Sequence, residues 1–214
     1  MRKLLIYIAG GLTLLALTAC QSAYYSAMES AGFAKRDILV GRVEDARDSQ
    51  ADAQAQFASA LEQFSVLIDF DGGELQAVYE DLDDEYEASE SAAAEVTDRI
   101  DAIERVADDL FDEWRDELTQ YSNVNLRRDS ERKLKDTERR YQQLITSMKR
   151  AEKRMTPVLD GLRDNVLYLK HNLNASAIGA LQGELGTIEA DVSRLIAEMN
   201  TAIAESDAFI DSLQ

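Results

Sequence analysis

From residue 74 onward the apolar positions of this chain fall alternately three and four residues apart. Between Glu74 and Tyr121 they are Tyr79, Leu82, Tyr86, Ser89, Ala93, Val96, Ile100, Ile103, Ala107, Leu110 and Trp114, with small residues filling some places. A second run reads Leu134, Thr137, Tyr141, Leu144, Met148, Ala151, Met155, Val158 and Leu162, and a third reads Ile178, Leu181, Leu185, Ile188, Val192, Leu195 and Met199. A period of about 3.5 residues kept up over this length belongs to helices packed side by side in a supercoil, nearly parallel or antiparallel. Upstream the pattern is weaker: Phe57, Ala60, Phe64 and Leu67 are clear, while Gly32 and Gly41 loosen the start.

Turn signals divide the runs. Phe70-Asp71-Gly72-Gly73 separates the first two segments, and Asp71 and Glu74 have the spacing of a capping box. Ser122-Asn123-Val124-Asn125 separates the second and third; Asn172, Asn174 and Ser176 separate the third and fourth. The expected fold is all-α: an elongated antiparallel up-down-up-down coiled-coil bundle, with helices at about 31–69, 74–121, 126–173 and 177–214. Pro157 sits inside the third pattern. An interior Pro removes a hydrogen bond and clashes with the preceding turn, so a kink or short break is expected near Met155–Pro157. If the second and third helices fold back on each other, Leu110 faces Thr137, Ile103 faces Leu144, Val96 faces Ala151, Ala93 approaches Met155 and Tyr79 faces Tyr168.

Charge separates the same two helices. Residues 69–117 hold 20 acidic and 3 basic side chains, and residues 127–154 hold 11 basic and 5 acidic. In the antiparallel register Asp108 lies beside Arg139 and Asp112 beside Lys135, so the basic helix selects the acidic one as neighbour. Arg127, Arg128, Arg132 and Lys133, at the start of the basic stretch, are also candidates for contact with an anionic surface such as lipid headgroups. The whole chain has a formal net charge of −18, which opposes binding to nucleic acid.

The amino terminus reads as an address. Met1-Arg2-Lys3 is basic, Leu4–Leu17 is an apolar run too short to span a bilayer, and Leu17-Thr18-Ala19-Cys20 follows. These four residues resemble the bacterial lipobox, which implies a signal peptide over 1–19 and a Cys20 that is acylated and becomes the new amino terminus. The alternative is a small buried Cys at the end of a membrane anchor. Residues 20–30 then form a lipidated tether, and 31–214 the helical body. The resemblance implies a covalent lipid (palmitate and diacylglycerol) on Cys20, and Gln21 rather than Asp at the next position implies sorting to the outer membrane; the periplasmic side is the face expected for the body.

Candidate chemistry is sparse. The chain has one His and one Cys. A ferritin-like di-iron site needs Glu-x-x-His pairs, and Tyr168 stands three residues before His171. His171 reads instead as a helix C-terminal residue. The 69–73 segment has its Gly at the wrong position for a calcium loop and no Glu at its twelfth. Gly179, Gly183 and Gly186 lack the Lys of a phosphate-binding loop, and no nucleophile elbow surrounds any Ser. No cofactor, metal or enzymatic activity is expected.

The stretch Leu169-Lys170-His171-Asn172-Leu173-Asn174, leading to Ala177-Ile178 and on to Asp191-Val192 and Leu195-Ile196, is similar to an uncharacterised family of gammaproteobacterial lipoproteins with a domain of unknown function. The resemblance implies a coiled-coil body behind a lipobox and no assigned activity. The function expected is a non-enzymatic scaffold, spacer or partner-binding module in the cell envelope, held to the membrane by its lipid and meeting an envelope protein still to be identified. The alternatives are an adaptor docking by its distal tip, residues 70–73 and 172–176, onto an envelope complex, and a lipid- or divalent-cation-binding stress protein. The weak first seam also leaves room for a second copy of the chain to cover it.

Overall fold

The structure is a computed structural model and describes residues 35–70, 72 and 74–213. Cys20, the leader, the tether and Asp71 lie outside the described residues. Among the described residues there are four helices and no strand: α1 (Lys35–Ile68), α2 (Leu75–Leu118), α3 (Val124–Lys170) and α4 (Ala175–Leu213). Each packs chiefly on two others, in the ring α1–α2–α3–α4–α1. Short turns reverse the chain each time, so the bundle runs up-down-up-down. At 1.5 Å per residue the 47 residues of α3 extend about 70 Å.

The core is the union of the stripes. Every seam position named above on α2 is buried except Trp114, which is half-buried; on α3 only Thr137 is half-buried, and on α4 only Leu185. The buried face is wider than the seam, however, because each helix touches two neighbours rather than one. Val106 and Phe111 add to it on α2, and Ile145, Asn165, Val166 and Leu169 on α3. Phe111 meets the edge of Tyr141 with ring centroids 5.4 Å apart, and Tyr141 reaches Phe209 of α4 at 6.5 Å.

The first helix has the seam that its composition hid. Leu39, Val43, Ala46, Gln50, Ala53, Phe57, Ala60, Phe64 and Leu67 are all at most 1 % exposed and alternate four and three residues apart. Three alanines and a glutamine mask the period. With α2 and α4 covering this face, the weak stripe no longer calls for a second copy. Gln50 is buried with neither amide atom hydrogen-bonded, and so is the Ser147 hydroxyl. Asn165, by contrast, donates to the Gly161 carbonyl at 2.6 Å, and Ser206 to that of Ala202 at 2.8 Å.

Three local expectations are corrected. Glu74, expected at the third helical position of a capping box, is itself the N-cap of α2, in extended backbone and without a side-chain bond. Gly72, two residues before it, has φ 146°, a conformation that other residues rarely adopt. The third helix starts two residues earlier than expected, because the Asn123 side chain accepts from the Asn125 and Leu126 amides at 3.0 and 3.3 Å. Of the kink or short break expected at Pro157, the break does not occur, since Pro157 lies inside the continuous α3. Pro157 is exposed, so the Lys153 carbonyl that loses its partner faces water rather than core.

Ala93 and Met155, which the antiparallel register of α2 and α3 brings near each other, line one shallow depression in the middle of the bundle. The register fails at the far end. Tyr79 is buried but Tyr168 is 42 % exposed, and Val166 and Leu169 take the inward positions there.

Candidate functional site

The two ends of the rod differ. One end gathers the start of α1, the α2–α3 turn and the end of α4; the other gathers the α1–α2 and α3–α4 turns. Lys35 Nζ stands 2.9 Å from Glu113 and ties the first residue of α1 to the last turns of α2. At this end the Trp114 indole donates to Ser130 Oγ at 2.8 Å, clipping α2 to α3 below their turn. Tyr121, Val124 and Leu126 project beyond that clip, 40, 48 and 57 % exposed.

The four cations expected to meet an anionic surface divide into two pairs. Arg132 and Lys133 both bind Asp129, at 2.6 and 3.2 Å. Their hydrogen bonds and charge, Lys133 foremost, hold the Asp129 carboxyl below its ordinary range. Lys135 does the same to Glu131 from 2.8 Å, with a smaller contribution from Arg127. Arg127 and Arg128 are exposed and make no ion pair among the described residues.

The expected pairing between helices is largely replaced by pairing within them. Arg139 binds Asp136 at 3.0 Å rather than Asp108, Lys135 binds Glu131 rather than Asp112, and Asp112 binds Arg115 at 2.7 Å. A partner three or four residues away is already held by the same helix, so less side-chain freedom is lost in meeting it. Two bridges do cross from α2 to α3, Arg115 to Glu138 and Glu104 to Lys149. The first has its basic member on the acidic helix. No sequence count of charge reveals that inversion.

Along the flank of the rod the depressions are open. One of about 590 Å³ is lined by Arg150, Lys153, Arg154, Thr156 and Pro157, and another of about 350 Å³ by residues including Asp164, Asn165, Glu184 and Asp191. Among the described residues no group of three or more His, Cys, Asp or Glu side chains converges as metal ligands would. His171 is the exposed C-cap of α3. No described helix is long and apolar enough to cross a membrane.

A family model matches residues 24–213, which is the whole helical body, and begins after Cys20. The chain belongs to the DUF2959 family. That family is described as a protein of unknown function, so membership gives the extent of the domain and assigns no chemistry. No curated protein matches the chain. The DUF2959 body therefore has to be read from its own surfaces.

Proposed function

We propose that the protein is an outer-membrane lipoprotein, anchored through Cys20 and facing the periplasm, whose body is a non-enzymatic spacer and partner-binding rod. The observation that carries this reading is the continuous side-chain core of a rod about 70 Å long, behind a leader that ends in Leu17-Thr18-Ala19-Cys20. Rods of this kind present length and surface. Triple acylation would make the attachment effectively permanent, since one chain alone binds reversibly at about 10⁴ M⁻¹.

The test is metabolic labelling with palmitate followed by envelope fractionation, on the wild type and Cys20→Ser. Label in the wild type and outer-membrane recovery, both lost in the variant, are the expected results. An unlabelled wild type, or a variant that still fractionates with the outer membrane, overturns the anchor.

A second reading is that the rod is an adaptor docking by its distal end. It is favoured by Val66, Leu167 and Tyr168, which stand 42–53 % exposed near that end and outside the core. Site-directed crosslinking from Leu167 in intact envelopes tests it: one reproducible partner supports docking, and only random neighbours oppose it.

A further inference from the structure

Large apolar side chains left in the open are few in this bundle, and their placement is uneven. Three of the six exposed ones among the described residues, Tyr121, Val124 and Leu126, lie within six residues of one another. They crown the α2–α3 turn. Immediately after them come Arg127 and Arg128, which are exposed and make no ion pair among the described residues, whereas Arg132, Lys133 and Lys135 just beyond are all held by acids of their own helix. An aromatic and two aliphatic side chains beside two exposed guanidinium groups form the combination that suits the boundary between headgroups and acyl chains.

We propose that the α2–α3 turn is a foot that rests on an anionic phospholipid bilayer, with Tyr121, Val124 and Leu126 entering the headgroup layer and Arg127 and Arg128 meeting its phosphates. The proposal rests on the reading of Cys20 as the lipid anchor. Lys35 follows Cys20 by 15 residues, a reach of at most about 50 Å. The Lys35–Glu113 pair then sets the start of α1 beside the last turns of α2, close to the foot. The first described residue of α1 and the foot thus stand at the same end of the rod.

Charge favours a bilayer seated by its phosphates at this end. The chain is strongly acidic overall and the long flank of α2 is repelled by an anionic surface, whereas Arg127 and Arg128 open the basic stretch of α3 right beside the exposed apolar turn. Size argues against a protein partner. A stable protein interface takes about 800 Å² from each side, far more than one turn of three apolar residues offers. A weak lipid contact suffices where a covalent anchor already keeps the turn at high local concentration beside the membrane. The foot fixes the inclination of the rod, which a tether alone leaves free.

The test uses the full-length acylated protein in vesicles of phosphatidylethanolamine and phosphatidylglycerol. Because Cys20 is the single Cys and its sulfur is blocked by lipid, Asn125→Cys supplies the one thiol for an environment-sensitive dye; only the backbone amide of Asn125 serves the Asn123 cap. Glu74→Cys, at the opposite end, is the control. Brominated lipids are expected to quench the dye at 125 and leave that at 74 bright, and adding Arg127→Glu with Arg128→Glu is expected to abolish the quenching while the protein stays on the vesicles. Equal brightness at both sites in vesicle-bound protein overturns the foot and leaves the anchor standing. Quenching that survives the double charge reversal overturns the role of the arginines. A protein that carries no acyl group and leaves the vesicles overturns anchor and foot together.

Discussion

The Trp114 indole donates to Ser130 Oγ across the α2–α3 pair, between one and two turns of helix inside the connecting loop. It is the one Trp of the chain, so its fluorescence reports on this clip alone. Ser130→Ala removes the acceptor and leaves a half-buried N–H. The expected loss is about 1 kcal/mol, with a shift of the Trp emission that precedes global unfolding in denaturant. Coincident fluorescence and helicity transitions with an unchanged midpoint would show that the bond holds nothing in place.

Gln50 occupies a seam position on α1 with its amide buried and unpaired. Such a group costs about 1–3 kcal/mol relative to one that keeps its hydrogen bonds. Gln50→Leu is therefore expected to raise the denaturation midpoint by an equivalent of about 1–2 kcal/mol. A lowered midpoint would mean that the amide contributes packing or contacts that Leu cannot supply. A polar seam residue can also enforce alignment, and loss of a single sharp melting transition in the Leu variant would point that way.

The first half of α4 carries Gly179, Gly183 and Gly186, and a Cβ built at any of them meets nothing within 4 Å. Each is helical and free of the close approach that would require Gly. Replacing Gly183 and Gly186 by Ala is expected to add about 1 kcal/mol each, seen as slower amide exchange across residues 175–190 and a higher melting temperature. No gain would mean that this half of α4 is stabilised or strained by something other than its backbone freedom.

Burial pushes the Tyr86 phenol up to about 12, helped by its hydrogen bond to Glu90, and burial raises that of Tyr141 as well. A raised folded-state value gives stability that is complete below the ordinary tyrosine range, near 10, and is lost as pH climbs through 12. The bundle should hold its helicity to about pH 10 and weaken between there and pH 12, with tyrosinate absorbance and loss of helix rising together. Tyr86→Phe should shift that weakening to higher pH. If it does not, another group governs the alkaline limit.

Most of the architecture was legible in the periodicity. The stripes on α2, α3 and α4 marked their buried faces because Leu, Ile, Val and aromatic residues fill alternating positions that a bundle has to bury. The stripe on α1 was obscure for a stated physical reason: Ala46, Ala53, Ala60 and Gln50 sit on it, and small or polar residues contribute little to an apolar pattern while still fitting between close helices. The breadth of the buried face was missed too, since a period marks the centre of a stripe and says little about its edges; Phe111 and Val166 lie on those edges.

Charge was the least legible feature. Block totals suggested that α3 neutralises α2, yet Asp129, Glu131 and Asp136 satisfy most of the nearby cations at one-turn spacing. Side-chain spacing within a helix, rather than net charge per helix, decided those pairs. That choice also goes with Arg127 and Arg128 making no ion pair among the described residues, a detail readable only after the local pairs had been assigned.

The reversals of the chain lie at the two ends of the rod, and neighbouring helices are zipped along their lengths between them. A pull applied between the ends therefore slides whole helices past one another, loading many core contacts in parallel, where a sideways pull would peel them apart one by one. Such a strut resists stretching better than its modest ion pairs suggest, and yields most readily to forces across its axis.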